Sequence, residues 1–331
     1  MIKRGEIPLA IGVVAIGRNE GERLRACLES VVRVASNVIY VDSGSTDASV
    51  GMAEGMGVDV VALDLSIPFT AARARNEGFR RLRVLAPAIA HVQFVDGDCE
   101  VAASWLDRSL EFLAANRDVA VVCGRRRERY PEKSLYNLLC DMEWDTPVGE
   151  TKACGGDALM RVDAFEGVGG FRADLIAGEE PELCVRLRGA GWRIWRLDAE
   201  MTLHDAAMTR FGQWWKRTLR GGHAFAEGAY LHGRTRERHR VRESRSVWFW
   251  ALAIPLSILV LVPWWGAWAL CLLLIYPLQI VRLAARGGRT PRENWLRAAY
   301  LVLGKFPEMF GQVKFLIGRH LGRQSRLIEY K

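Results

Sequence analysis

No C-x-x-C pair occurs among the seven cysteines, which stand at positions 27, 99, 123, 140, 154, 184 and 271. An odd, scattered set is neither a disulfide framework nor a zinc-finger spacing, and it fits a reducing compartment. G-x-G-x-x-G, G-x-x-x-x-G-K-[ST], H-E-x-x-H and G-x-S-x-G are also absent. Their absence argues against a dinucleotide oxidoreductase, a P-loop NTPase, a zincin and a serine hydrolase. Low-complexity tracts are missing too. The apolar stretch Ile7 to Ile16 is too short for a signal peptide and runs straight into Arg18-Asn19-Glu20, so it reads as a first strand.

The longest gap is in charge. The 35 residues from Val247 to Val281 carry none, yet six arginines precede them between Arg234 and Arg245 and five follow between Arg282 and Arg297. A single helix over that run would be about 52 Å long against a bilayer core of about 30 Å. Two helices, about 247–263 and 266–282, turning at Pro263-Trp264-Trp265-Gly266, each nearly span it. Arginine on both flanks places both ends on the cytoplasmic side of a bacterial inner membrane. The competing reading is a buried helical hairpin of a soluble protein. Residues 294–317 mix apolar side chains with Lys305, Glu308, Lys314 and Pro307, which suits an interfacial helix pair. The net charge of +8 therefore belongs to a membrane border, not to a nucleic-acid surface. The expected organisation is a catalytic domain over 1–235, a basic linker and hairpin over 236–283, and a basic, amphipathic cytoplasmic tail over 284–331.

Ahead of the hairpin the pattern alternates strand and helix. Strands are expected at Leu9–Ile16, Val38–Val41, Val58–Leu63, His91–Val95, Val119–Cys123, Ala158–Val162 and Trp195–Thr202. Helices are expected at Glu22–Val34, from a Ser45/Thr46 cap through Met56, at Thr70–Val84, at Ser104–Ala115 and after Pro181. The segment after Arg125 reads as irregular. This is an α/β chain with a mostly parallel sheet, helices on both faces and ligands at strand C-terminal ends.

Five places carry chemistry. The apolar run ending at Val95 meets Asp96-Gly97-Asp98, two carboxylates that suit a hard divalent cation on a diphosphate or an ordinary turn. Asp42 ends a strand, where it can accept from a nucleoside or cap a helix. Arg73 and Arg75 open a helix against its dipole, so a diphosphate or a neighbouring carboxylate must compensate them. Glu179-Glu180-Pro181-Glu182 begins another helix, with proline at the first position and Glu180 as cap. An ionised carboxylate there can act as a general base, while Glu182 pairs with Arg186 at i, i+4. His204 is the last candidate.

Taken in order, these segments resemble the family 2 glycosyltransferases of GT-A fold. The resemblance covers Ile11 to about Gly228. It rests on Ile16-Gly17-Arg18-Asn19-Glu20, Val41-Asp42-Ser43-Gly44-Ser45, Ala74-Arg75-Asn76-Glu77-Gly78, Asp96-Gly97-Asp98, Gly155-Gly156-Asp157-Ala158, Glu179-Glu180 with Arg186, and His204. It implies that Asn19, Glu20 and Asp42 hold the nucleoside of a nucleotide-sugar donor, and that Arg73 or Arg75 offsets phosphate charge. It implies Asp96, Asp98 and His204 as ligands of Mg2+ or Mn2+, with Asp96 also facing the donor. Gly155, Gly156 and Asp157 would lie beside the donor sugar. Glu180, or its neighbour Glu179, would be the base of an inverting transfer.

Two departures matter. Glutamate stands where the family usually has aspartate, and Gln213-Trp214-Trp215-Lys216-Arg217 only loosely echoes the Q-x-x-R-W motif of processive synthases. A single-addition enzyme without a secretion channel is expected. A membrane anchor implies a lipid-linked saccharide acceptor and contact with inner-membrane lipids. Arginines 125, 126, 127 and 129 either meet lipid phosphates or form a solvated face. Trp105, Trp144 and Trp192 either stack on sugar or pack in the core. The rival functions are a polyprenyl-phosphate glycosyltransferase and a catalytically inactive membrane scaffold.

Overall fold

The computed structural model describes residues 11–35, 37–322 and 328. Leu9 and Ala10 of the expected first strand, Asn37's neighbour Ser36 and most of the tail beyond 322 lie outside the described residues. The chain divides into two units, Met1–Ala207 and Met208–Lys331.

The first unit runs β1 (Ile11–Gly17), α1 (Glu22–Val32), β2 (Asn37–Asp42), α2 (Ser49–Gly55), β3 (Asp59–Ala62), α3 (Ala71–Leu85), β4 (His91–Asp96), β5 (Cys99–Val101), α4 (Trp105–Ala115), β6 (Val119–Glu128), α5 (Leu135–Trp144), β7 (Gly149–Glu150), β8 (Ala158–Arg161), α6 (Val162–Gly167), α7 (Glu179–Gly189) and β9 (Arg193–His204). The strand order is β3-β2-β1-β4-β8-β6-β9-β5, with β7 beside β9. β3, β2, β1 and β4 pair in parallel, as does β6 with β9. The pairings β4–β8, β6–β8, β5–β9 and β7–β9 are antiparallel. The sheet is thus parallel where β-α-β crossovers build it and mixed beyond β4.

Every residue of β1 from Ile11 to Ile16 is buried, so both faces of the central strand are covered. α3 approaches that strand closely. A Cβ on Gly78 would lie 2.4 Å from Val14 Cγ1 and 2.7 Å from Val41 Cγ2, and one on Gly12 would lie 2.3 Å from Leu82 Cδ2. Only glycine lets the helix seat so deeply, and Thr70 caps it by accepting from Arg73 N at 3.0 Å.

Two local expectations change. α2 starts at Ser49, not at Ser45 or Thr46, because those residues are bound elsewhere. Gly44 N and Ser45 N donate to Asp42 Oδ2 at 2.9 Å each, and Thr46 N donates to Asn19 Oδ1 at 2.7 Å. The segment after Arg125 is not irregular: β6 continues to Glu128 against β9, and α5 follows under a Ser134 cap.

The second unit contains α8 (Phe211–His232), α9 (Val241–Trp248), a π-helical stretch Phe249–Ala253, α10 (Ile254–Trp265), a 3₁₀ stretch Gly266–Leu274, α11 (Ile275–Ala285), α12 (Pro291–Leu303) and α13 (Lys305–His320). Its start at Met208 is earlier than the boundary expected at 235, because α8 packs on α13. A Cβ on Gly222 would meet Glu308 O at 2.0 Å, and one on Gly311 would meet Leu219 O at 2.0 Å. The apolar run reverses at Gly266, whose φ of +54° favours glycine. Tyr276 Oη donates to Trp250 O at 2.7 Å across the two arms. Leu256, Leu259, Trp264, Trp265, Trp268 and Leu278 remain exposed. The hairpin is therefore largely unburied within this chain, and Val241–Ala285 is long and apolar enough to cross a membrane.

Candidate active site

The carboxylates gather where β1, β2 and β4 end. β1 and β4 run parallel with Ile16 opposite Asp96, and β1 pairs Gly17 with Asp42. Gly97 N donates to Ile16 O at 2.8 Å, which pins the Asp-Gly-Asp turn to the central strand.

Asp96 and Asp98 then part company. Asp96 Oδ1 accepts from Arg75 Nη2 at 2.7 Å, and its Oδ2 accepts from Arg126 Nη2 at 2.9 Å. Burial pushes its carboxyl up, but the two guanidiniums outweigh burial and hold it well below the usual carboxylate range. Asp98 Oδ2 instead lies 3.3 Å from His204 Nε2. The cause is strand register: β5 pairs antiparallel with β9, setting Cys99 opposite His204, while the other flank of β9 sets Glu128 opposite the same histidine. Asp96, expected beside Asp98 as a metal ligand, is held by two arginines here and also forms a group with Cys99 and Asp157 whose ligand atoms lie within 4.8 Å of one another. Its side chain leaves the turn toward α3 and β6.

Asp98, Cys99 and His204 form one group with metal-ligating atoms within 4.8 Å of one another. A divalent cation fits this group on electrostatic grounds. Burial pushes His204 down, toward the neutral ring, with its bond to Glu128 opposing. Glu128 Oε2 lies 3.4 Å from His204 Nδ1, so the proton belongs on Nδ1 and the Nε2 lone pair faces a carboxylate. A proton or a metal ion between Nε2 and Asp98 relieves this repulsion, and the Cys99 thiol offers a metal a third ligand. A carboxylate behind a histidine is the arrangement that orients a metal-bound imidazole.

Arg75 is buried, and Asp96 and Glu179 keep it charged against the cost of burial. Its Nη1 donates to Glu179 Oε1 at 2.8 Å. Gly156 leaves room for this pair: a Cβ there would lie 2.9 Å from Arg75 Nη2 and 3.0 Å from Asp96 Oδ2. Gly156 therefore borders the acid–arginine cluster, while a Cβ on Gly155 would meet nothing within 4 Å. Arg73 points elsewhere, donating to Ile67 O at 2.8 Å. Asp157, expected at the donor, is fully buried. It accepts from Asp96 N at 2.9 Å, Arg126 Nε at 2.9 Å and Thr202 Oγ1 at 2.8 Å, so it braces the site from below.

Asp42 spends its oxygens on its own loop, accepting from Tyr40 Oη at 3.0 Å besides Gly44 and Ser45. Asn19 ties the β1 and β2 loops together through Ser45 and Thr46. Glu20 pairs with Arg23 at 2.7 Å.

Glu180 is not the cap of α7. Gly178 takes that place, and Glu179 and Glu180 open the helix. The Glu180 carboxylate is buried: Cys154 N and, at 3.0 Å, Cys184 Sγ both donate to its Oε1. Burial raises its pKa, with those hydrogen bonds opposing. A carboxyl of raised pKa next to the glycine loop is a stronger base than a solvated one.

Arg126, Glu128 and Cys99 were missed as site residues, and Trp144, offered as a sugar platform or a core residue, lies beside them. Trp144 sits 4.7 Å from the His204 ring centroid and 5.3 Å from the Arg126 guanidinium carbon. The arginines of 125–129 divide: Arg125 pairs with Asp141, Arg126 with Asp96 and Asp157 and Arg129 with Glu100, while Arg127 lies on the solvated face beside Glu200. Trp105 is core, donating to Gln93 Oε1 at 2.8 Å, and Trp192 packs against the core.

Residues 13–167 match the model of Glycosyl transferase family 2. The chain is 24% identical over 225 residues to Glycosyltransferase AglE of Haloferax volcanii, covering 64% of this chain and 71% of that protein. It is 27% identical over 193 residues to Succinoglycan biosynthesis protein ExoA of Rhizobium meliloti, covering 54% and 58%. Mannosyltransferase PcManGT from Pyrobaculum calidifontis, solved in complex with GDP-Man and Mn2+, superposes with a TM-score of 0.57 at 18% identity, over 93% of this chain and 87% of its own. S. aureus TarS 1–349 superposes with a TM-score of 0.51 at 13% identity, over 95% and 92%. Sheet topology and structural neighbours define a GT-A fold. The match to the family 2 model falls within the first unit and spans a little under half of the chain.

Proposed function

We propose that the chain transfers a sugar from a nucleoside-diphosphate sugar to a hydroxyl of a lipid-linked saccharide, with inversion, in cell-envelope or exopolysaccharide assembly. The observation that carries this reading is the convergence of Asp42, Asp96, Asp98, Arg75, Glu179 and Glu180 on the C-terminal ends of β1, β2 and β4 and the glycine loop beside them. Open α/β sheets bind ligands at such a place. The likeness to a succinoglycan biosynthesis protein and to a mannosyltransferase that holds GDP-Man and Mn2+ supports it.

Asp42, with Asn19 and Glu20 at the end of β1, lines the nucleoside side. Asp98 and His204, with Glu128 behind the ring, would hold Mg2+ or Mn2+. Such a cation, when bound, neutralises charge developing on the departing diphosphate, an effect of several kcal/mol. Arg75 and Arg126 sit within reach of the same charge and are held ready by Asp96, Asp157 and Glu179. Glu180 takes the proton of the acceptor hydroxyl. The acceptor oxygen bonds to the anomeric carbon from the face opposite the diphosphate, whose own bond to that carbon breaks.

The hairpin supplies the acceptor's location. The nineteen residues from Val247 to Trp265, α-helical apart from the π-helical Phe249–Ala253, rise at most about 28 Å. The return arm is stretched by its 3₁₀ stretch to about 30 Å over 266–282, close to a bilayer core of about 30 Å. Both arginine clusters lie at the open end of the hairpin, which suits a cytoplasmic base.

The test is nucleotide release from a panel of donors with lipid extracts as acceptor. Glu180→Gln is expected to abolish transfer while keeping Mn2+ and donor binding. Near-normal turnover in that variant would replace this reading with a polyprenyl-phosphate glycosyltransferase, whose acceptor needs no base. Nucleotide-sugar binding that ignores Mn2+ and survives Asp98→Ala would favour an inactive scaffold.

A further inference from the structure

Behind the glycine loop, Glu180 is flanked by two thiols that the transfer reaction does not require. Cys154, Glu180 and Cys184 are all buried, and their ligand atoms lie within 4.8 Å of one another. Cys184 and Glu180 are four residues apart on α7, so they share one helix face, and Cys154 is brought over them by the loop that ends at Gly155. The Sγ–Sγ distance is 3.8 Å. Two thiolates bound tetrahedrally at about 2.3 Å to one zinc ion lie about 3.8 Å apart. A disulfide, in contrast, requires about 2.05 Å. The two sulfurs are already spaced for a shared metal and far too wide for a bond to each other.

We propose that Cys154, Cys184 and Glu180 form a site for a thiophilic divalent cation, Zn2+ or Cd2+, separate from the Asp98–His204 site and inhibitory when filled. Binding replaces two S–H protons: the ion takes two thiolates and the carboxylate, two protons leave to solvent, and water completes the tetrahedron. Cys184 Sγ and Glu180 Oε1, now 3.0 Å apart across a hydrogen bond, open by about half an ångström to the roughly 3.5 Å that ligands of one zinc ion require. A hard cation does not compete here, because Mg2+ and Mn2+ prefer oxygen and thiolate sulfur favours zinc. With two thiolates against the single thiol of the Asp98–Cys99–His204 group, this is the softer of the two sites. Metal binding stands independently of the proposed reaction. The inhibition rests on the reading of Glu180 as base, since a carboxylate bound to zinc cannot accept a proton.

The experiment is titration of the full-length chain with Cd2+ in excess Mg2+, read by thiolate-to-cadmium charge-transfer absorption, with Zn2+ competition for affinity. The wild-type chain is expected to show the band, reversed by Zn2+. Cys154→Ser and Cys184→Ser should each weaken binding by more than the about 10- to 100-fold that loss of a merely supporting group costs. Cys271→Ser, at an exposed position, should leave binding intact. Absence of the band in the wild-type chain overturns the site, as does a band undiminished in both variants. If zinc inhibits turnover equally in the wild-type and Cys184→Ser enzymes, the inhibition acts at another site and that half of the proposal fails. The absorption decides the binding even if no glycosyl transfer is found.

Discussion

Glu128 illustrates what a sequence hides at the scale of one residue. It follows three arginines, so it reads as part of a charged surface run, yet it is buried with both oxygens used. Its Oε1 accepts from Asn137 Nδ2 at 3.1 Å, and its Oε2 accepts from Ala206 N at 3.1 Å while facing His204. Only strand register, set by pairing 76 residues apart, brings it behind the histidine. Its role is positioning, so Glu128→Gln is expected to weaken Mn2+ binding about 10- to 100-fold. Isothermal titration of the metal alone, without turnover, reads this directly. The glutamates of α7 were visible as a pair, but their division of labour was not: Glu179 holds Arg75, and Glu180 lies under the glycine loop. Because burial raises the Glu180 pKa above an ordinary 4.5, the base is ionised only above that raised value. The acid limb of a kcat/KM–pH profile should therefore fall at a pH above 4.5. Replacing Cys184 by alanine removes a hydrogen bond to the charged form and should move the limb further up.

Elements with a strong period were legible: β1, α1, β2, α3, β4 and α4 lie within a residue or two of their expected bounds over the described residues. Failures came where polar side chains carry the element. β6 continues through Arg125, Arg126 and Arg127 because β9 pairs with it and each arginine finds an acid. That compensation spans the fold and has no local signature. α2 starts late for a similar reason, its apparent caps being drawn to Asp42 and Asn19. The seat of α3 is the element that most directly places Arg75. Gly78→Val would push a side chain into Val14 and Val41, and overpacking of this kind costs about 1–3 kcal/mol. Thermal unfolding should show the midpoint fall, and donor affinity should fall with it as Arg75 moves off Asp96. Unchanged affinity at a lowered midpoint would separate stability from arginine placement.

For the whole molecule, charge distribution says more than the total. The arginine clusters bracket an exposed apolar hairpin, and the second unit begins at Met208, well before them. A reporter fused after Lys331 is expected on the cytoplasmic side, with the chain extracted by detergent and not by high salt. A periplasmic reporter would contradict the hairpin topology. The donor sugar and linkage left no mark in composition or period, because they depend on the shape of a few loops at the strand ends.

The most direct test of the central claim is incorporation of labelled sugar from nucleoside-diphosphate donors into the organic-extractable fraction of membranes that contain the enzyme. The account predicts that one donor labels a lipid-linked saccharide only with Mn2+ or Mg2+, and that Asp98→Ala and Glu180→Gln each abolish the label. Label that persists in chelator or in Asp98→Ala would contradict it.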